Sequence, residues 1–208
     1  MMVENPPVST AKRQGDLFDA APDLPEGLRY ASDALTRAQE AALLAELPRL
    51  PFREFEFHGF TGKRRVVSFG YRYDFNGGGL SEAAPIPDFL HPAREAAARF
   101  AGLAAEALRH AHLIEYRPGA SIGWHKDRPE FEDVIGLSLL SPCTFRLRRK
   151  VAGKWERHAF MAEPRSAYLL RGHARHGWEH SIPALPALRY SITFRSLAER
   201  TRAELRGN

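Results

Sequence analysis

Cysteine is nearly absent: Cys143 is the only one in 208 residues, which excludes a disulfide framework and any thiolate-rich zinc site. No run of eighteen uncharged apolar residues occurs, so no membrane-crossing helix is expected. The opening Met1-Met2-Val3-Glu4-Asn5-Pro6 has neither a basic start nor an apolar stretch, which argues against a secretory signal and for a cytoplasmic protein. Internal repeats are missing, and no linker interrupts the ordered part. Acid is the minority charge: 25 Asp and Glu against 30 Lys and Arg give a net charge of +5 and a pI near 9.6, the balance of a chain that binds a polyanion.

What is present is the composition of a globular chain, with 44% hydrophobic and 26% charged residues. The basic excess is clustered. Arg146, Arg148, Arg149, Lys150, Lys154 and Arg157 are opposed only by Glu156, and Lys63, Arg64, Arg65 and Arg72 form a second group. By itself this also fits solvated strand faces in a mildly basic protein.

Residues 1–28 are proline-rich and read as a flexible tail, residues 29–200 as one domain and residues 201–208 as a C-terminal tail. Ser32 or Asp33 is expected to cap a helix from about Thr36 to Leu47, which Pro48 ends. Strand character follows in Phe52–Phe57 and Arg65–Tyr73, with a turn at Asn76-Gly77-Gly78-Gly79. Asp88 to about His110 reads as the longest helix. The remainder predicts strands at His112–Tyr116, Val134–Leu140, Thr144–Arg149, Trp155–Phe160, Ala167–Leu170 and Leu188–Phe194. Helices followed by a run of strands argue for an α+β domain with a sandwich or barrel-like β core.

Nine histidines offer places for a metal. His58, His91, His110, His112 and His158 lack a partner at useful spacing and read as packing or surface residues. His173 and His176 lie near His180 in an apparent turn and rank second. Trp124-His125-Lys126-Asp127 is different: residues two apart on an extended segment share a side, so His125 and Asp127 can reach one ion while Lys126 faces away. Imidazole with carboxylate suits a borderline metal such as Fe(II), and His180 is available as a third ligand if a barrel folds it back. On the last strand Arg189 and Arg195 are six apart, so both guanidiniums share a face with Ser191 and Thr193. Two unpaired cations inside a β core require an anion, and a dicarboxylate fits. If instead Tyr190, Ile192 and Phe194 form the buried face, both arginines point outward.

Together, His125-x-Asp127, the distal His180, Arg189-x5-Arg195 and the approach Tyr116-Arg117-Pro118-Gly119 resemble the AlkB-type Fe(II)- and 2-oxoglutarate-dependent dioxygenases over about residues 50–197. The resemblance implies a double-stranded β-helix, or jelly roll, buttressed by N-terminal helices. It implies Fe(II) on His125, Asp127 and His180, with no catalytic residue beyond these ligands. It also implies 2-oxoglutarate on Arg189, helped by Tyr116 and Ser191, with Arg195 near the iron-chelating end, and dioxygen as co-substrate. The stretch Arg64–Tyr73 falls where the family builds a nucleotide-contacting lid. Arg64, Arg65, Phe69, Tyr71 and Tyr73, with Trp124 and Arg128, are then the expected substrate contacts.

Two departures bear on this. Ile114 stands where many members carry a cofactor-binding Asn, and Arg128-Pro129 follows the His-x-Asp where DNA-repair members carry an acid, leaving Glu130, Glu132 or Asp133 as displaced substitutes. The activity implied is hydroxylation of an N-methyl group on alkylated DNA or RNA, single-stranded or with a flipped base, followed by loss of formaldehyde. A monomer is expected. Alternatives are hydroxylation of tRNA, protein or a small molecule; a nucleic-acid-binding module with a vestigial metal site; and a zinc hydrolase, which would leave Arg189 and Arg195 unexplained.

Overall fold

A computed structural model describes residues 24–57, 60–74 and 79–206; the expected turn at Asn76-Gly77-Gly78 and most of the expected tail lie outside them. Chain order runs β1 (Leu28–Ala31), α1 (Arg37–Glu46), β2 (Arg53–Phe57), β3 (Phe60–Phe69), β4 (Tyr71–Asp74), β5 (Gly79–Glu82) and α2 (His91–Ala101). It continues with β6 (Leu108–Tyr116), β7 (Ile122–His125), β8 (Phe131–Leu139), β9 (Cys143–Val151), β10 (Lys154–Ala162) and β11 (Ala167–Leu170). Last come α3 (Gly172–His176), β12 (Glu179–Ile182), β13 (Arg189–Leu197) and α4 (Glu199–Arg206).

Seven strands form an antiparallel sheet in the order β1-β11-β8-β13-β6-β3-β2, and four form a second in the order β10-β9-β12-β7. β4 and β5 make a separate ribbon. The two main sheets are the layers of a jelly roll, and the helices cover the outer face of the larger one. That sheet is therefore buried on both sides. On β13, Tyr190, Ile192 and Phe194 pack with Leu113, Leu137 and the α1 and α2 side chains, while Arg189, Ser191, Thr193 and Arg195 face the smaller sheet. The choice between an apolar and a cationic buried face is thus a false one: strand alternation buries both.

Leu113, Ile135, Leu137, Ile192 and Phe194 are fully buried between helices and sheet, each stabilising by about 1.5–3 kcal/mol. Between the sheets a second cluster gathers Phe145, Leu147, Phe160, Tyr168 and Trp178, with Phe145 and Tyr168 rings 4.5 Å apart. α2 meets the sheet through Ala93, Ala96, Ala97, Ala98 and Ala101, so small side chains set its approach.

Several expected boundaries change. α1 is capped by Thr36, whose hydroxyl accepts from the Gln39 amide at 3.1 Å while the Gln39 side chain accepts from the Thr36 amide at 2.9 Å, a reciprocal capping box. Ser32 instead donates to Asp33. The helix expected over residues 88–110 stops at Ala101, because Gly102 (φ 68°) takes the left-handed conformation that turns the chain into β6. The expected C-terminal tail is helical through Arg206, with Thr201 buried, and at the N-terminal side Leu24 packs against the core while the Glu26 and Gly27 carbonyls accept from the Ala174 and Arg171 amides. β1, β7 and β12, four residues each, are strands beyond those expected from alternation.

Candidate active site

The inner faces of the two sheets enclose a cavity of about 810 Å³. β12 lies between β9 and β7, and its register sets His180 directly opposite His125. Their rings are 4.3 Å apart, and His180 Nε2 is 3.6 Å from the Asp127 carboxylate. The distal histidine is thereby brought back onto the first pair across the strand ladder. His125 Nδ1 lies 2.9 Å from the Gly123 carbonyl; a carbonyl can only accept, so Nδ1 carries the proton and Nε2 keeps its lone pair for a ligand.

β7 ends at His125, so Asp127 sits on a loop beyond it rather than on a continuing strand. Arg175 of α3, itself buried, holds that loop by donating to the Asp127 carbonyl at 3.2 Å and the Phe131 carbonyl at 3.0 Å. Because the strand has ended, Lys126 does not face away as alternation requires: it borders the cavity and donates to the His176 carbonyl at 2.8 Å.

Asp127 is 8% exposed. Burial pushes its carboxyl up, but the Arg195 guanidinium at 2.8 Å, with Arg175 behind it, outweighs this and holds it well below the usual carboxylate range. Burial and the neighbouring His125 lower the His180 pKa to about 3, so the ring is neutral at pH 7 and available as a ligand. Two imidazoles and a carboxylate suit Fe(II). His125 and Asp127 both lie beside His180, but among the described residues no three His, Cys, Asp or Glu side chains stand at metal-ligand spacing, and one Asp127 oxygen is engaged by Arg195.

At the other end of β13, Arg189 is 0% exposed. Its Nε and Nη2 donate to the Ser138 hydroxyl at 3.2 and 3.0 Å, its guanidinium lies 5.0 Å from the Tyr116 ring, and Nη1 is buried without a partner. Tyr116 is hydrogen-bonded to Ser191, and burial pushes its phenol up. A buried guanidinium with an open donor and no carboxylate among the described residues fits an anion, as a dicarboxylate co-substrate requires.

Of the expected substrate contacts, Trp124, Arg64, Tyr73 and Arg128 line the cavity. The Arg64 guanidinium is 3.8 Å from the Phe55 ring. Arg128 lies 4.0 Å over Tyr73 and donates to its hydroxyl. Arg65, Phe69 and Tyr71 are not there. β3 alternates, so Arg64 and Ser68 face the cavity while Arg65 and Phe69 face the opposite side. Arg65 makes a bidentate pair with Glu115 at 2.8 and 2.7 Å, and Phe69 is buried under the helices. Tyr71, beyond Gly70, is buried with Phe131 and Leu197.

The displaced acids are engaged elsewhere: Glu130 with Arg128 at 3.4 Å, Glu132 with His176 at 3.3 Å, and Asp133 with Arg171 at 2.6 Å. His173 is held against Arg149. Cys143 is buried. Sequence reading missed Ser68, His110 and His112, which also border the cavity. His112 Nδ1 is 2.8 Å from the Ser68 hydroxyl, and His110 Nδ1 is 3.2 Å from Arg195. Counting back by twos from Tyr116 along β6 reaches Ile114, His112 and His110, and would have found both.

Residues 27–195 match the 2OG-Fe(II) oxygenase superfamily. The chain is 31% identical over 191 residues to the Arabidopsis thaliana protein named alkylated DNA repair protein ALKBH8 homolog, covering 80% of this chain and 53% of that protein, about half its length. Among solved structures, OsALKBH1 superposes with a TM-score of 0.58 at 16% identity, covering 83% of this chain and 99% of that one. A Trichoplax adhaerens prolyl hydroxylase, solved with a hypoxia inducible factor oxygen degradation domain peptide fragment, superposes with a TM-score of 0.62 at 13% identity over 86% and 87% of the two chains. Both structures speak for the fold alone.

Proposed function

The chain belongs to the 2OG-Fe(II) oxygenase superfamily as an AlkB-type dioxygenase using Fe(II), 2-oxoglutarate and dioxygen, and from that premise we propose that it oxidatively demethylates alkylated nucleic acid. Residues 28–206 act in this reading as one catalytic unit. His125, Asp127 and His180 hold the iron. Arg189 takes the distal carboxylate of 2-oxoglutarate with Tyr116 and Ser191 beside it, and Arg195 steadies Asp127 and the chelating end.

Held by these residues, iron would activate dioxygen, the oxidant, with 2-oxoglutarate as the two-electron reductant: one oxygen atom would leave in succinate as carbon dioxide is lost, and the other would enter a substrate C–H bond. The chain's own residues bind, orient and keep water out. His125 keeps its metal-facing nitrogen free through the Gly123 carbonyl. Arg175 fixes the Asp127 loop. The apolar wall of Phe145, Phe131 and Val134 dries the cavity. An N-methyl group hydroxylated there becomes a hemiaminal, which releases formaldehyde and leaves the unmethylated nitrogen.

The observation that carries the nucleic-acid reading is the pairing of cavity-lining rings with guanidiniums: Phe55 with Arg64 and Tyr73 with Arg128 inside the cavity, and Trp124 at its border with Arg146 and Arg148 of the outer face. Rings accept a base by stacking and the cations accept its flanking phosphates. The relative named as an alkylated DNA repair protein supports the same class.

The test is anaerobic loading with Fe(II) and 2-oxoglutarate, then air, recording succinate and formaldehyde against methylated single-stranded DNA, duplex DNA and RNA beside a His180→Ala variant. Formaldehyde that depends on a methylated strand and disappears in the variant is expected. Succinate without strand-dependent formaldehyde would discard this substrate and leave the dioxygenase.

A further inference from the structure

The smaller sheet has a second face, directed away from the cavity, and its residues are unusual for an outer surface. Alternation on β9 sends Phe145 and Leu147 inward and Arg146, Arg148 and Lys150 outward. The antiparallel register sets Arg157 beside Arg148 and Trp155 beside Lys150 on β10, and Glu179 beside Arg148 on β12. Four cations thus share a face with one carboxylate. Glu179 is committed to Arg148 at 2.6 Å, and Arg146 donates to Ser181 at 3.0 Å. Lys150 and Arg157 form no ion pair among the described residues and are exposed.

Aromatic rings are interleaved with these cations. The Arg148 guanidinium lies between two indoles, 4.4 Å from the centroid of Trp124 and 4.4 Å from that of Trp155. Trp124 also borders the cavity, whereas Trp155 is 42% exposed. The ladder Trp124–Arg148–Trp155 therefore runs without interruption from the cavity wall to the outer face. It ends near the hairpin tip, where Ala152 and Gly153, both with positive φ (45° and 82°), close a tight turn. Arg148 is clamped by Glu179, so the ring spacing is set in advance. Arg146, Arg148 and Lys150 span about 13 Å along β9.

A solvated strand face accounts for the cations but not for an indole kept exposed beside them. Positive charge with interleaved stacking surfaces is the chemistry that holds a single strand, its phosphates on the cations and its unstacked bases on the rings. The geometry points to the outer face of the β9–β10 hairpin as the platform for the single strand of nucleic acid flanking the nucleotide that enters the cavity. This rests on the nucleic-acid substrate proposed above, and its occupant is the substrate strand itself rather than a second molecule. A duplex, whose bases are already stacked, offers the rings nothing.

The test measures binding of fluorescein-labelled sixteen-residue oligothymidylate and oligouridylate, and of a sixteen-base-pair duplex, to the full chain by anisotropy between 50 and 200 mM salt. Single-strand binding responds to salt with a slope of about −0.7 per phosphate contact. Lys150→Ala/Arg157→Ala is therefore expected to flatten the slope by about 1.4, and Trp155→Ala to weaken binding about tenfold. Arg49→Ala/Arg99→Ala removes the same charge from the helices behind the larger sheet and should leave slope and affinity unchanged. Thermal melts verify folding of each variant.

Wild-type binding with hairpin variants that match it would overturn the platform and leave the proposed substrate standing. Equal losses in the hairpin and helix variants would also overturn it, by reducing the effect to net charge. Tighter binding of duplex than of single strand would remove the stacking role. Absence of wild-type binding to any strand would overturn the platform together with the nucleic-acid substrate.

Discussion

Arg189 and Arg195 stand on one face of one strand, six residues apart, and the fold treats them differently. Arg195 has a carboxylate, Asp127, at 2.8 Å, and a histidine, His110, at 3.2 Å. Arg189 has a serine hydroxyl, an aromatic face and an unpartnered Nη1. Each arginine keeps one buried donor without a partner, Nε in Arg195 and Nη1 in Arg189, but Arg195 has its charge matched by an acid, whereas a buried guanidinium without an acid costs stability until an anion arrives. The two ends of β13 thus separate structural work from binding work. One arginine fastens the loop that carries a candidate iron ligand, and the other is held open for a charge that the chain does not supply.

Substituting each arginine with methionine, which keeps most of the volume, breaks the comparison most forcefully. Arg189→Met should abolish the thermal stabilisation that 2-oxoglutarate gives, and lower turnover at fixed 2-oxoglutarate by about 100-fold or more, since a buried charge-paired contact carries about 2–5 kcal/mol. Its melting temperature without ligand should not fall, because an uncompensated buried charge has been removed. Scanning calorimetry with and without 2-oxoglutarate reads both effects.

Arg195→Met should do the reverse in the ligand-free protein, leaving Asp127 buried without its hydrogen-bonded cation at a cost of about 3–5 kcal/mol in urea denaturation. Adding Asp127→Asn should recover much of that loss. Equal destabilisation by the two single substitutions would mean that Arg189 is a structural residue as well.

How far this was legible in the sequence follows from the same strand. Arg189, Ser191, Thr193 and Arg195 were readable because an even spacing survives any choice of neighbours: whatever flanks β13, they share a side. His125 and Asp127 were readable as a pair, though for an imperfect reason, since the strand ends between them and Arg175 supplies the positioning. Lateral pairing was not legible. Ser138 becomes the Arg189 partner only because β8 lies beside β13 in register, whereas His110 and His112 follow from the alternation of β6 once Tyr116 faces the cavity. Arg65 and Phe69 lie outside the cavity because the alternation of β3 divides Arg64–Phe69 into two faces, a division already present in its sequence. The Gly102 stop was also available, in a glycine at the end of an alanine-rich helix.

The histidines beside Arg195 sharpen the comparison through pH. His112 is enclosed with Arg195 and Arg64 nearby, and burial first, then these cations, lowers its pKa to about 3. Its ring is partly accessible from within the cavity, which moderates the effect. The unfolded chain takes up the proton near its ordinary value of about 6.5, whereas the folded chain resists until about 3. The stability that His112 contributes is therefore complete above the ordinary value and is lost as pH falls from there toward 3, by at most about 1.4 kcal/mol per pH unit. His112→Gln should flatten this acid limb of the denaturation profile and leave the profile above pH 7 unchanged. An unaltered acid limb would place the sensitivity on other groups.

The smallest expected effect tests why Arg189 is aimed where it is. Ser138 is fully buried on β8, and its hydroxyl accepts two guanidinium hydrogen bonds while lying 3.3 Å from the Ala162 carbonyl as donor. It carries no charge, so it orients Arg189 without neutralising it. Ser138→Ala removes about 1 kcal/mol of net hydrogen bonding and leaves the charge available to a carboxylate. The 2-oxoglutarate KM should rise about fivefold with kcat nearly unchanged, because orientation before binding is lost while the bound state retains its ion pair. A fall in kcat at unchanged KM would instead place Ser138 in the catalytic step, and would make the two ends of β13 less separable than their partners imply.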